Sequence, residues 1–237
     1  MSTLTNRLAD IPLLAEHAPY TLAGYAEFRA VIEQDGALPA RIKALFTAVA
    51  AIDRRYPDLA RRELERGVAL GLSTQDATAG IIVLASLRGE GAAIEFAAIV
   101  DACLPGSADP VGTKPPLPTA AEGEAIGNFT TYFGTIPPAL MQLLRLSPQG
   151  ADGYYLMRRG SIDANPLSPK YGELLLLTIL AASYSPMASR HVDGARRAGA
   201  SDAEMAEATL CAVPAAGIAA WMAVGGLLEP VGPATAS

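Results

Sequence analysis

Residues 168–207 read SPKYGELLLLTILAASYSPMASRHVDGARRAGASDAEMAE. Ser168 is a typical N-cap residue, and Pro169 suits the first helical position, where its missing N–H is not needed. Ser185 and Pro186 repeat this pair. The stretch therefore predicts two helix starts in close succession.

A third helix start follows a stop signal in the same stretch. Gly199 is placed to end the middle helix, because glycine readily takes the left-handed conformation that follows many helices. Ser201 and Glu204 then form an S-x-x-E capping box. Three consecutive helices are predicted.

The first of these helices is apolar nearly all round, which predicts a position inside a helical core. It carries Glu173 into that core near its start, and a buried carboxylate needs a partner. Its apolar residues are Leu174, Leu175, Leu176, Leu177, Ile179 and Leu180.

His191 is the candidate catalytic residue of the middle helix. It shares a face with Met187 and Tyr184 if the helix extends back that far; otherwise Tyr184 lies in the cap turn. Imidazole titrates near neutrality, so beside a carboxylate and a phenol it can move protons in an enolisation, decarboxylation or lactone isomerisation. The alternative is a histidine that only makes a hydrogen bond.

The composition indicates a protein that buries part of its surface in contacts between subunits. Of 237 residues, 51% are hydrophobic and 18% are charged, so we expect subunit interfaces. A net charge of -6 without a basic run argues against nucleic acid and anionic membranes as partners. Small molecules or proteins are the expected partners.

The cysteines and the N-terminal residues limit which chemistry and which cellular location are expected. Cys103 and Cys211 form neither a C-x-x-C pair nor a metal-ligand spacing, which predicts no thiol redox centre and no metal site, while one remote disulfide stays possible. Residues 1–19 lack the basic start and apolar core of a signal peptide, so a cytoplasmic location is expected. Residues 208–228 carry no charge, but Pro214 and many small residues favour two buried helical pieces over a membrane span.

The chain matches itself at an offset of about 128 residues, which indicates a duplicated helical unit. In this register Glu63 takes the place of His191, and Lys43 roughly that of Glu173, so the first copy lacks the acid–base pair. The matched pairs include Tyr25 with Tyr154, Arg29 with Arg158, Tyr56 with Tyr184, Leu59 with Met187, and Gly71 with Gly199.

Two charges interrupt the apolar end of the first copy. Either Arg88 reaches into the cleft of the other copy to bind a substrate carboxylate, or Arg88 and Glu90 lie in solvent beside Gly89 and Gly91.

No strand is predicted, so we expect an all-α architecture of two pseudo-equivalent helical units. The predicted boundaries are an N-terminal extension at 1–16, a first repeat at 17–104, a linker rich in proline and glycine at 105–128, and a second repeat with His191 at 129–237.

The second copy resembles the carboxymuconolactone decarboxylase and AhpD-like superfamily, and the first copy resembles it more weakly. The motif is Leu-x-Pro-Lys, Glu-Leu, an alanine-rich helix, His191 eight residues before Gly199, and S-x-A-E-x-x-E. The resemblance covers roughly residues 19–103 and 129–229. It implies AhpD-like helical units that assemble as trimers or hexamers, and for a duplicated chain a homotrimer with pseudo-hexameric symmetry.

The redox branch of that superfamily has a Cys-x-x-Cys pair followed by the histidine. Tyr184 and Met187 stand at the two cysteine positions, and neither side chain can exchange disulfides, so a thiol peroxidase is not expected. The decarboxylase branch keeps the histidine and a glutamate, and the resemblance carries these roles to His191 and Glu173.

The leading hypothesis is a cofactor-free lyase or isomerase acting on a small carbonyl or lactone acid. His191 is the general base or acid, Glu173 orients it, and Tyr184 donates a hydrogen bond to the developing enolate oxygen. Arg190 or Arg88 is the expected counter-ion of a substrate carboxylate.

Two rival hypotheses remain open. A pathway enzyme that cyclises or rearranges a larger apolar intermediate requires a large cavity lined by Met187, Trp221 and Met222. These three residues are otherwise part of the core. An oligomeric binding or scaffold protein requires no titratable cluster around His191.

Overall fold

The computed structural model describes residues 6–106 and 116–228, and the chain has no strand in these two ranges. The predicted all-α class is confirmed. Residues 1–5 of the predicted extension, 107–115 of the predicted linker and 229–237 of the predicted second repeat lie outside the described residues. The helices are α1 (Pro12–His17), α2 (Pro19–Glu33), α3 (Ala40–Asp53), α4 (Pro57–Ala69), α5 (Thr74–Arg88), α6 (Glu90–Cys103), α7 (Glu124–Phe133), α8 (Pro138–Leu146), α9 (Pro148–Ser161), α10 (Pro169–Ala182), α11 (Ala188–Arg197), α12 (Asp202–Leu210), α13 (Val213–Ala216) and α14 (Ala219–Met222), with 3-10 turns at Arg7–Asp10 and Gly225–Leu227.

The centre of the core is formed by α3 and α10, which pack against each other. As predicted, α10 is capped by Ser168, whose hydroxyl accepts a hydrogen bond from the Tyr171 N–H at 3.2 Å. Every residue of α10 from Gly172 to Ala182 is buried. A helix that is apolar all round is stable only in such a position, and it places Glu173 inside the protein.

The predicted helix ends around Gly199 are confirmed, and they recur in the first half of the chain. Gly199 has φ 85° and Gly71 has φ 87°, a region that glycine reaches without a Cβ clash. Complete capping boxes follow both glycines, formed by Ser73 with Asp76 and by Ser201 with Glu204.

An ion pair ties each capping box to a core helix. Arg41 Nη1 of α3 lies 2.7 Å from Asp76 Oδ2, and Lys170 Nζ of α10 lies 2.6 Å from Glu204 Oε1. In each half of the chain, a basic residue of a core helix thus pairs with the carboxylate of a capping box.

The uncharged run at 208–228 is divided into the end of α12 and the short helices α13 and α14. Pro214 lies in the first turn of α13, and Gly217, with φ 72°, ends it. In the part of the chain that the structure describes, no helix is long and apolar enough to cross a membrane. The predicted division is present, although Ile218 and Met222 are exposed.

A small second cluster precedes the core of the second half. Helix α7 begins at Glu124, inside the segment assigned to the linker at 105–128. Tyr155 of α9 donates a hydrogen bond to Glu124 Oε1 at 2.5 Å, and Ala125 and Phe129 pack with Ala151 and Tyr155. The last residues of that segment are thus part of a packed helix, which directs the end of α7 towards α10.

Glu207 of α12 fastens the second half of the chain to the first. Its carboxylate accepts hydrogen bonds from the N–H groups of Ala37 and Leu38, each at 2.9 Å, and from Lys43 Nζ at 2.8 Å. The Lys43 side chain is 1% exposed. Burial alone raises the pKa of Glu207, but these hydrogen bonds outweigh it and lower that pKa below its ordinary value of 4.5.

Replacing Glu207 with glutamine is expected to lower the free energy of unfolding by about 3 kcal/mol, because the buried Lys43 ammonium loses its counter-ion. Urea unfolding at neutral pH measures the change. The stabilisation by Glu207 is present above pH 4.5 and is lost as the pH falls through the lowered pKa, so the wild-type advantage should shrink in acid.

Glu27→Gln is the matched control, since Glu27 is an exposed glutamate of α2. Adding Lys43→Met to Glu207→Gln should recover part of the loss, because no buried charge then remains at the contact. Equal unfolding energies for Glu207→Gln and Glu27→Gln would contradict this role.

Candidate active site

The candidate site is centred on His191 of α11 and Glu173 of α10. His191 Nδ1 lies 2.7 Å from Glu173 Oε2, and the two side chains are 15% and 2% exposed. An ionised carboxylate can only accept a hydrogen bond, so Nδ1 carries the proton and Nε2 is left with the free lone pair. The two residues predicted to act together are brought into direct contact, in the arrangement of a histidine base with its orienting carboxylate.

Gly194 makes this contact possible. A Cβ on Gly194 would lie 2.5 Å from the carboxyl carbon of Glu173, so any larger residue would displace the carboxylate. Gly194 lies one helical turn after His191, where α11 passes directly over Glu173. The close approach of α11 to α10 thus depends on a residue without a side chain.

Tyr132 of α7 is a third member of the site that the sequence did not identify. Its hydroxyl lies 3.0 Å and 3.2 Å from the two oxygens of Glu173 and donates to that carboxylate. Burial and the negative charge of Glu173 strongly raise the pKa of the Tyr132 phenol, so it stays protonated and remains a donor. Glu173 is therefore held between a phenol and an imidazole.

Two arginines flank the ring of Tyr132. The guanidinium carbon of Arg158 lies 3.5 Å from the ring centroid, and that of Arg197 lies 5.0 Å away. Arg158 is buried, and its Nη1 donates to Asn128 Oδ1 at 2.6 Å. In the self-match of the chain Arg158 is aligned with Arg29, and this repeated arginine was the sequence signal that could have identified Arg158 as a residue of the site.

A cavity of about 50 Å³ opens beside His191 and has room for a few water molecules. Arg190 and Met187 are exposed residues of its wall, which places them at the mouth. The lining residues are Ser86, Leu87, Tyr132, Phe133, Tyr154, Arg158, Ser161, Ile162, Leu176, Met187, Arg190 and His191.

Tyr184 lies in the cap turn between α10 and α11 and does not line this cavity. Its φ of 54° turns the side chain away, and its hydroxyl donates to the carbonyl of Ala216 at 2.6 Å. The structure therefore does not bring Tyr184 together with His191 at this cavity.

Arg88 and Trp221 also lie outside the His191 cavity. Arg88 pairs with Asp53, donates to Ser183 Oγ at 2.5 Å, and lines a separate open cavity of about 450 Å³. Trp221 packs its ring against Gly225. Of the predicted substrate-binding residues, the structure brings Met187 and Arg190 to His191 and leaves these two elsewhere.

The comparison with known families adds one finding to this geometry. The sequence model of the carboxymuconolactone decarboxylase family matches residues 148–229. The match runs from α9 to beyond α14 and contains Glu173 and His191, whereas Tyr132 precedes it. No curated protein matches the chain.

Neither cysteine of the chain lines the His191 cavity. Cys103 and Cys211 are both free, and burial raises the pKa of the Cys211 thiol to about 12. Within residues 6–106 and 116–228, no group of three or more histidine, cysteine, aspartate or glutamate side chains is arranged to hold a metal ion.

Proposed function

We propose that the protein is a cofactor-independent lyase or isomerase that acts on a small carbonyl or lactone acid. The observation that carries the proposal is the His191–Glu173 pair, buried on one side and facing a cavity on the other. The family match over residues 148–229 supports the same class of chemistry.

His191 Nε2 acts as the proton acceptor in the proposed reaction. It removes a proton from the carbon next to the carbonyl, and the electron pair moves onto the carbonyl oxygen to form an enolate. Glu173 stabilises the resulting imidazolium through Nδ1–H. Returning the proton to another carbon completes an isomerisation.

A decarboxylation uses the same groups in a different order. The carboxylate leaves as CO₂, its bonding electrons pass to the conjugated carbonyl, and protonated His191 delivers a proton to the carbon that lost CO₂. No electron acceptor besides the substrate carbonyl is required.

Arginines on the cavity wall supply the positive charge that such substrates need. Arg190 at the mouth is the proposed counter-ion of the substrate carboxylate, in place of Arg88. Arg158, a buried residue of the cavity wall, is the proposed donor to the enolate oxygen, the role predicted for Tyr184.

The rival functions have less support. A pathway enzyme for a larger apolar intermediate was predicted to have a cavity lined by Met187, Trp221 and Met222, but neither Trp221 nor Met222 lines the His191 cavity. The scaffold hypothesis requires no titratable cluster around His191, whereas Glu173 contacts both His191 and Tyr132. A thiol peroxidase needs a thiolate, and the raised pKa of Cys211 disfavours one there.

We also propose that the chain consists of two copies of one helical unit and that three chains form a homotrimer. The repeated capping boxes, the glycines at positive φ and the ion pairs at Asp76 and Glu204 support the duplication. Exposed apolar side chains such as Leu146 and Met222 fit an assembly that covers them.

The test is CO₂ release, and hydrogen exchange with D₂O, from carboxymuconolactone and related lactone and keto acids. Tyr132→Phe is expected to lower the rate about tenfold, since it removes one hydrogen bond to a buried carboxylate. Tyr184→Phe is the matched control and should retain the wild-type rate, because its hydroxyl donates to the Ala216 carbonyl and Tyr184 does not line the His191 cavity.

Two results would count against the proposal. Wild-type protein that neither releases CO₂ nor exchanges hydrogen with any acid of the panel would remove the lyase or isomerase function. A larger loss of rate in Tyr184→Phe than in Tyr132→Phe would support Tyr184 as the hydrogen-bond donor to the enolate oxygen.

A further inference from the structure

A second cavity lies in the first half of the chain, away from His191. Its volume is about 110 Å³, and it opens between the 3-10 turn at Arg7–Asp10, α2 and α4. The lining residues are Arg7, Tyr25, Arg29, Leu59, Arg62, Glu63 and Arg66. We call it the Arg62 cavity.

Most lining residues of the Arg62 cavity have a counterpart in the His191 cavity. Five of its lining residues are separated by 128 or 129 positions from lining residues of the His191 cavity. The pairs are Tyr25 with Tyr154, Arg29 with Arg158, Leu59 with Met187, Arg62 with Arg190, and Glu63 with His191. The two cavities therefore occupy the same place in the two halves of the chain.

Glu63, at the position of His191, is not available as a proton acceptor, because both of its carboxylate oxygens are paired with arginines. Glu63 Oε1 lies 2.7 Å from Arg29 Nη2, and Glu63 Oε2 lies 2.8 Å from Arg66 Nη2. The Glu63 side chain is 4% exposed, so its two oxygens are engaged by guanidinium groups inside the protein. The Arg62 cavity keeps the shape and the arginines of its counterpart without a free base.

The cavity has more positive charge than Glu63 can balance. Four of its seven lining residues are arginines and one is a glutamate. Arg29 also pairs with Glu33, and Arg7 pairs with Asp10. In the part of the chain that the structure describes, Arg66 Nη1 is buried without a hydrogen-bond partner, and Arg62 is exposed.

We propose that the Arg62 cavity is a non-catalytic binding site for a small organic carboxylate. Arg62 and Arg66 of the cavity wall bind the carboxylate, since guanidinium groups match it in charge and planar geometry. Tyr25 is the neutral donor of the wall. Burial raises the pKa of its phenol, which keeps it protonated. This site does not depend on turnover at His191.

The test is isothermal titration calorimetry of the full chain with succinate as the probe. Wild-type protein and Arg190→Gln should both bind succinate in the first half of the chain, whereas Arg62→Gln should weaken that event at least about tenfold. Arg190→Gln is the matched control because it changes the corresponding residue of the other cavity. Circular dichroism melting shows whether each variant folds.

Three results would overturn the site. They are the absence of binding to wild-type protein up to about 10 mM succinate, equal affinity in Arg62→Gln and wild type, and binding lost only in Arg190→Gln. Inorganic phosphate is titrated in parallel. Phosphate binding as tight as succinate would replace the carboxylate assignment with a general anion site.

Discussion

His191→Ala is expected to lower turnover of the lactone or keto acid substrate by roughly 10²- to 10⁴-fold, the usual contribution of a placed proton-transfer group. The physical reason is the loss of Nε2, the nitrogen that Glu173 does not engage in an imidazole that lines the cavity. The measurement is the steady-state rate of CO₂ release or hydrogen exchange under saturating substrate.

The alanine variant also leaves the buried Glu173 carboxylate with Tyr132 as its remaining side-chain partner at the site, which costs stability of about 1–3 kcal/mol. His191→Asn separates this effect from catalysis, because the asparagine amide can still donate to Glu173 but offers no base. It should be as inactive as His191→Ala and more stable.

The other histidine of the chain supplies the control. His17 is on α1, and its side chain is 65% exposed, so His17→Ala should keep the wild-type rate and the wild-type melting temperature. Wild-type turnover in a folded His191→Asn protein would show that another group moves the proton.

Gly194→Ala is expected to reduce turnover by about 10²-fold or more, although no group with acid–base chemistry is changed. The added methyl group would stand 2.5 Å from the Glu173 carboxyl carbon, so the carboxylate must rotate away from His191 Nδ1. Overpacking of this kind costs typically 1–3 kcal/mol of stability. Rate and unfolding energy are measured on the same preparation.

Gly153→Ala is the matched control for this substitution. Gly153 lies within α9, and a Cβ there would meet nothing within 4 Å. Alanine favours a helix over glycine by about 1 kcal/mol, so this variant should be fully active and slightly more stable. A Gly194→Ala protein with the wild-type rate would mean that the His191–Glu173 contact is not needed for turnover.

The sequence predicted the parts of the fold that depend on local chemistry. The cap at Ser168, the stop at Gly199 and the capping box at Ser201 are each formed by residues within a few positions of one another. The apolar pattern of α10 predicted its burial, and the position of Glu173 in that pattern predicted a buried carboxylate. The encounter of Glu173 with His191 followed from the family resemblance.

The remaining features of the site depend on contacts that no local pattern encodes. Tyr132 reaches Glu173 from a helix 41 residues earlier in the chain, in a segment without a counterpart in the self-match. Of the two positions that the sequence left open for Tyr184, the structure has the cap turn, because helical periodicity does not apply to a residue with φ 54°. Arg88 pairs with Asp53 of α3 and donates to Ser183 Oγ of the second half, so it contacts that half without lining the His191 cavity.

The origin of Tyr132 outside the family-matched segment has a consequence for any chimera. A graft that transplants residues 148–229 onto a foreign scaffold would bring the imidazole and its carboxylate but leave behind the phenol that anchors that carboxylate. The transplanted segment should therefore begin before Glu124, so that it includes the whole of α7 and with it Tyr132.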